Sequence, residues 1–111
     1  MKIIQAIIRP EKLGDVKAAL EKADYPGMTI SDVDGHGRQK GLSQQWRGEQ
    51  FKLDLIPKIK IEIAVTSNAE AIIDAIVSAG CTGEVGDGKI FVWDLADVAR
   101  IRTGERGETA I

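Results

Sequence analysis

Two stretches of this chain set glycines among basic residues at spacings that suit an anion. In the first, Gly35, Gly37 and Gly41 alternate with Arg38, Gln39 and Lys40, and Lys58 follows at the root of the next strand-like run. Glycine lets backbone amides approach an anion closely, while Arg and Lys supply charge-assisted donors. In the second, Gly86-Asp87-Gly88-Lys89 closes a glycine-rich turn that starts at Thr82. Amides in such a turn can cradle phosphates, and the lysine can balance their charge. This turn is shorter than a Walker loop, and alone it also reads as a plain connection between a helix and a strand. Arg100 and Arg102, on one side of an extended tail, are a third source of positive charge.

The segment between the run ending near Asp34 and the run beginning at Lys58 is far longer than a hairpin needs, because most connections take roughly 4–6 residues. It reads as a projecting, working loop. Trp46, Arg47 and Phe51 lie in it around Gly48, and aromatics beside an arginine are the residue types that anchor protein partners. Trp93 reads instead as a core residue.

Other chemistry finds little support. His36 and Cys81 are the single histidine and cysteine. Neither has a second ligand at zinc spacing, and His36 has no neighbour arranged as a nucleophilic relay.

The 111 residues fit one domain, with 43% hydrophobic and 29% charged residues in the globular range. The net charge of −2 gives no overall field to gather nucleic acid or acidic membrane, so an anion site must be local. One cysteine excludes an internal disulfide and fits a reducing compartment. Met1-Lys2-Ile3-Ile4-Gln5 enters a strand directly, and no apolar run reaches the roughly 18 residues of a membrane span. The expected location is the cytoplasm.

The supporting elements follow from periodicity. Lys2 to Arg9 is isoleucine-rich on both faces and reads as a strand buried on both sides. Pro10 opens a helix with Leu13, Val16 and Leu20 at helical spacing, and Tyr25-Pro26-Gly27 breaks it. Met28 to Asp34 reads as a second strand. Ile59, Ile61, Ile63 and Val65 then alternate with Lys58, Lys60, Glu62 and Ala64, the strongest period-two signal in the chain. Ser67 to Glu70 has capping-box spacing ahead of the apolar stripe Ala69, Ile72, Ile73 and Ile76. In the last strand Ile90 and Val92 face one way, and Phe91, Trp93 and Leu95 the other. The order is two β-α-β units, an α+β fold of the ferredoxin-like βαββαβ type with a long loop between the second and third strands. Its helices cover one side of the sheet only. Strands one and four are apolar on both faces, so the chain should associate through its sheet.

Gly37-Arg38-Gln39-Lys40-Gly41, Trp46-Arg47-Gly48, the run from Asp54 to Glu62, Thr82 to Phe91 and Arg100 to Glu105 resemble, in order, the motifs of the nitrogen-regulatory PII signal-transduction family. The resemblance runs from Met1 to Ile111. It implies a single domain over 1–111, with an effector loop at 37–56, a phosphate loop at 80–89 and a C-terminal tail at 96–111. It also implies a homotrimer with ATP or ADP in the clefts between subunits and no catalytic activity. By that resemblance Gly37, Arg38, Gln39, Gly86, Asp87, Gly88 and Lys89 belong to the nucleotide site. Arg100 and Arg102 would reach across from the neighbouring subunit, and Ile7, Thr29, Glu62 and Ala64 would line the adenosine. Gln39, Lys40, Gly41 and Lys58 resemble the 2-oxoglutarate site, where the keto acid and ATP chelate Mg²⁺ with help from Gln39. Trp46, Arg47 and Phe51 would meet the target, either an ammonium transporter or an enzyme of nitrogen metabolism such as glutamine synthetase.

Two positions depart from the family. Uridylylated bacterial members carry tyrosine where this chain has Phe51, and some others are phosphorylated at a serine where it has Glu49. Two other classes share the element order. An RNA-recognition module would need aromatics on the third strand, which here reads Lys58 to Ile63 without one. A small phosphatase would need a nucleophile or water-activating group beside the anion site, where the resemblance makes Asp87 and Glu62 binding residues.

Overall fold

The computed structural model describes residues 1–36 and 55–111, together with the backbone of 45–46 and 49–50. Among the described residues are six strands and two α-helices: β1 (Lys2–Ile8), α1 (Leu13–Lys22), β2 (Thr29–Gly35), β3 (Gln45–Trp46), β4 (Glu49–Gln50), β5 (Ile56–Val65), α2 (Ala69–Gly80) and β6 (Lys89–Asp94). The main sheet is antiparallel in the order β2-β5-β1-β6, while β3 and β4 form a separate two-stranded ladder. This is the ferredoxin-like arrangement, with the first strand of each β-α-β unit at the centre.

One face of the sheet carries the core. Ile4, Ala6 and Ile8 of β1 and Ile59, Ile61, Ile63 and Val65 of β5 are buried together with Val16 and Leu20 of α1 and Ile72 and Ile76 of α2. Each large aliphatic side chain taken from water here contributes roughly 1.5–3 kcal/mol. The two helices pack closely where Gly80 ends α2, since a Cβ there would lie 3.5 Å from Cγ2 of Val16. Pro10–Lys12 forms a short 3-10 turn before α1, and α1 stops ahead of Asp24, which takes φ of 57°.

Several expectations change. Ser67 does not cap α2: the cap position is Asn68, without a side-chain bond into the helix. The Asn68 amide instead donates to the carbonyls of Ala23 (3.1 Å) and Asp24 (3.3 Å), tying the start of α2 to the end of α1. The third main-sheet strand begins at Ile56 rather than Lys58. Pro57 is tolerated there because it lies beyond the last pair with β1, Ile8 with Ile59, so only β2 flanks it.

Trp93, read as core, is 45% exposed. It stands opposite Ile3 on the helix-free face, next to the row in which Phe91, 47% exposed, stands opposite Gln5. Ile3 and Ile7 are only half-buried on that face, so β1 is fully buried on one side alone. Period-two alternation fixes the two faces of a strand but not which of them is covered. The expected exposed apolar patch is present.

Candidate functional site

The turn from Thr82 to Lys89 is built around one carboxylate. Asp87 accepts hydrogen bonds from the backbone N–H of Thr82 (2.8 Å) and Gly83 (2.9 Å) and from the Thr82 hydroxyl. Nε of Arg9 donates to it at 2.9 Å, and Nη2 of Arg9 donates to the carbonyl of Val85 at 2.9 Å. The Thr82 hydroxyl first, and then the Arg9 guanidinium, hold the Asp87 carboxyl well below the usual carboxylate range. With both oxygens turned inward, Asp87 would face an anion only through its backbone amide.

Glycine is obligatory at two positions of this turn. Gly86 and Gly88 take φ of 103° and 100°, which side chains rarely adopt. At Gly88 a Cβ would lie 1.7 Å from the carbonyl oxygen of Ile7, so the turn passes directly over the end of β1. At Gly86 it would lie 3.3 Å from Nη2 of Arg9 and 3.7 Å from Nζ of Lys58. Lys58 also donates to the carbonyl of Gly86. The root of the long loop is thereby joined to the glycine turn through Lys58.

The remaining candidates are distributed as follows. Lys89 is exposed and pairs with Ile7 across β6 and β1. Thr29 stands opposite Glu62, and Ala64 opposite Ile3, so Ile7, Thr29, Glu62 and Ala64 share the helix-free face of the sheet. Lys60 approaches Glu62 at 3.9 Å on the same face. An apolar groove of about 270 Å³, lined in part by Ile73 and Val77 of α2 and Ile90 of β6, opens on the other side and ends at Asp87, Gly88 and Lys89. Cys81 lies exposed at its margin.

The tail is not extended. Ala99 bridges to Arg106, and the amides of Arg100, Gly104 and Gly107 donate to the carbonyls of Glu105, Arg100 and Val98, closing a tight turn. Arg100 donates to Glu105 (3.0 Å) and to the carbonyl of Thr109 (3.0 Å). Arg106 pairs with Asp97, whose carboxyl this guanidinium holds below its ordinary value. Arg102 is exposed. Charge alternation in the tail, Asp97, Arg100, Arg102, Glu105 and Arg106, carries the signal for this turn. Gly37, Arg38, Gln39, Lys40, Gly41, Arg47 and Phe51, and the side chain of Trp46, lie outside the described residues. Sequence reasoning missed Arg9. Its signal was a basic residue directly after a buried strand and before Pro10, where the chain must turn.

Among the described residues no group of three or more His, Cys, Asp or Glu is assembled to hold a metal. No helix among them is long and apolar enough to cross a membrane.

The family model described as nitrogen regulatory protein P-II matches residues 1–105. The nitrogen regulatory protein P-II 1 of Methanothermobacter thermautotrophicus is 54% identical over 112 aligned positions, covering 100% of this chain and 97% of the relative. The nitrogen regulatory protein P-II of Klebsiella oxytoca is 50% identical, with both chains covered in full. P-II 1 of Escherichia coli is 49% identical, again over the full length of both. A family model matched over nearly the whole chain and relatives at half identity leave one assignment: the chain belongs to the nitrogen regulatory protein P-II family, whose members are non-catalytic regulators of nitrogen signalling.

Proposed function

We propose that this chain senses adenine nucleotide and 2-oxoglutarate and reports them through the 37–56 loop to an ammonium transporter. The observation that carries the reading is the bond from Lys58 to the Gly86 carbonyl, which joins the root of that loop to the glycine turn. ATP or ADP phosphates would lie on the amides of Gly86 to Lys89, with Lys89 and Arg38 beside them. Arg100 and Arg102 would come from a neighbouring subunit of a homotrimer. Arg100 would first leave Glu105 and Thr109. Ile7, Thr29, Glu62 and Ala64 would line the adenosine.

Gln39, Lys40, Gly41 and Lys58 would hold 2-oxoglutarate. Mg²⁺ fits this scheme, since it takes oxygen ligands, keeps few protein contacts and relies on substrate phosphates, with the Gln39 side-chain oxygen as the protein's contribution. Lys58 would then divide its three N–H donors between a ligand carboxylate and the Gly86 carbonyl. Keto-acid binding would therefore be felt in the phosphate turn. A ligand that prefers one loop state shifts the population towards it, and no more than that is required.

Arg47, within Trp46-Arg47-Gly48, would enter the mouth of the transporter. Three such loops on a trimer would act on a trimeric channel as one strong contact through effective concentration. Titration calorimetry with ATP, with and without Mg²⁺ and 2-oxoglutarate, tests the sensing. The expected result is ATP binding that 2-oxoglutarate tightens only with Mg²⁺, and absence of ATP binding overturns it. Pull-down of the transporter from the same genome, in ADP and in Mg-ATP with 2-oxoglutarate, tests the target. Equal capture in both states, or undiminished capture by Arg47→Ala, points instead to a nitrogen-metabolism enzyme such as glutamine synthetase. Phe51 lacks the oxygen that nucleotidyl transfer must use, so incubation with a uridylyltransferase and UTP should leave the mass unchanged.

A further inference from the structure

We infer that Arg9 is a positioning residue of the glycine turn whose task is to neutralise Asp87, so that an anion can settle on amides lying on either side of a carboxylate. The inference rests on the nucleotide reading above.

The difficulty it resolves is electrostatic. Asp87 stands between Gly86 and Gly88, the residues whose backbones are the natural cradle for a phosphate, and an unpaired carboxylate at that point repels the ligand. The carboxylate is needed nonetheless, because it gathers the amides of Thr82 and Gly83 and so gives the turn its shape. Arg9 meets both requirements. Its Nε reaches Asp87 at 2.9 Å, and its Nη2 takes the Val85 carbonyl at 2.9 Å, so one planar fork fixes the turn at two points while cancelling the charge.

The pair is only partly open to water, at 24% exposure for Arg9 and 23% for Asp87, so screening by solvent is reduced. Arg9 is also held from behind. It follows the last residue of β1, and its carbonyl accepts the Lys12 amide at 3.0 Å as the 3-10 turn begins. With Lys58 also on the Gly86 backbone, two cations from outside the turn bond it at Asp87 and Gly86, beside the turn's own Glu84 and Lys89. Removing Arg9 takes away one of these cations without touching an amide of the cradle.

The test compares ATP, ADP and adenosine by calorimetry on the full chain, the unaltered form beside Arg9→Gln and the double variant Arg9→Gln/Asp87→Asn. Arg9→Gln should weaken ATP at least tenfold, ADP less, and adenosine little, because the effect scales with ligand charge. The double variant should recover most of the lost ATP affinity, since asparagine keeps an acceptor for the turn and removes the charge. Unchanged ATP binding by Arg9→Gln overturns the proposal. So does an equal loss for all three ligands, which marks a purely structural role, or a double variant as weak as the single one, which makes Arg9 a direct ligand. Should Arg9→Gln fail to fold, Arg9→Lys decides: it keeps the charge and must hold ATP within a few-fold, and a tenfold loss overturns the inference. Should the unaltered chain bind neither nucleotide, the reading of the site itself fails and takes this inference with it.

Discussion

A Cβ placed on Gly88 would lie 1.7 Å from the carbonyl oxygen of Ile7. No rotamer can relieve that overlap, because both atoms belong to the backbone or its first branch, and φ at Gly88 is 100° as well. Gly88→Ala should therefore displace the turn from β1. The unfavourable φ alone costs roughly 1–3 kcal/mol, and each kcal/mol lowers Tm by about 4–8 °C in a domain near this size. Thermal unfolding by circular dichroism checks it, and a Tm within 2 °C of the unaltered chain would contradict the packing described.

The Asp87 network predicts a particular acid response. Its folded carboxyl is held below the ordinary value of 3.8 by the Thr82 hydroxyl and Arg9. A depressed folded value means that the stabilisation is complete above the ordinary carboxylate range and is lost as pH falls through it towards the folded value. Asp87→Asn should lower stability at pH 7 and flatten the fall in stability below about pH 4. Urea unfolding at pH 7, 5, 4 and 3 measures this. Parallel curves for the two proteins at all four values would show that Asp87 does not carry it.

The fold was legible because its signals are local. Ile59 to Val65 alternates without interruption, and the Leu13, Val16 and Leu20 stripe keeps helical spacing. The site was legible only as glycine and charge, and the missing part was which carboxylate each cation meets. Arg9 and Asp87 are 78 residues apart, and no periodicity links them. Trp93 was misplaced for a related reason. Alternation assigned it to the right face, but whether that face is covered depends on a surface outside the strand.

That face makes association measurable. Trp93 and Phe91 stand half-exposed beside Ile3 on the helix-free side of the sheet, a patch soluble monomers seldom leave open. If the chain forms the trimer proposed above through this face, Trp93→Glu should dissociate it by placing a charge in the contact. Light scattering at micromolar concentration should give three times the chain mass for the unaltered protein and the chain mass for the variant. A monomer in both, or a trimer in both, would remove the helix-free face as the contact.

Lys58 permits the sharpest separation of the two ligands. Its ammonium lies 3.7 Å from where a Gly86 Cβ would be and donates to the Gly86 carbonyl, so it belongs to the glycine turn before any ligand arrives. By the proposed reading it also pairs with a 2-oxoglutarate carboxylate. Lys58→Ala would then remove a charge-assisted bond worth about 1.5–3 kcal/mol from keto-acid binding, a loss of tenfold or more. Its effect on ATP should be smaller, because Gly86 and Gly88 keep their conformation through Arg9 and Asp87. Lys58→Met preserves the aliphatic stem and separates packing from charge. Calorimetry should find 2-oxoglutarate binding in Mg-ATP lost in both variants, with ATP affinity reduced only a few-fold. Normal 2-oxoglutarate binding by Lys58→Met would release this residue from the keto-acid site. An equal collapse of both ligands would mean that its bond to Gly86, and not a ligand carboxylate, is its main task.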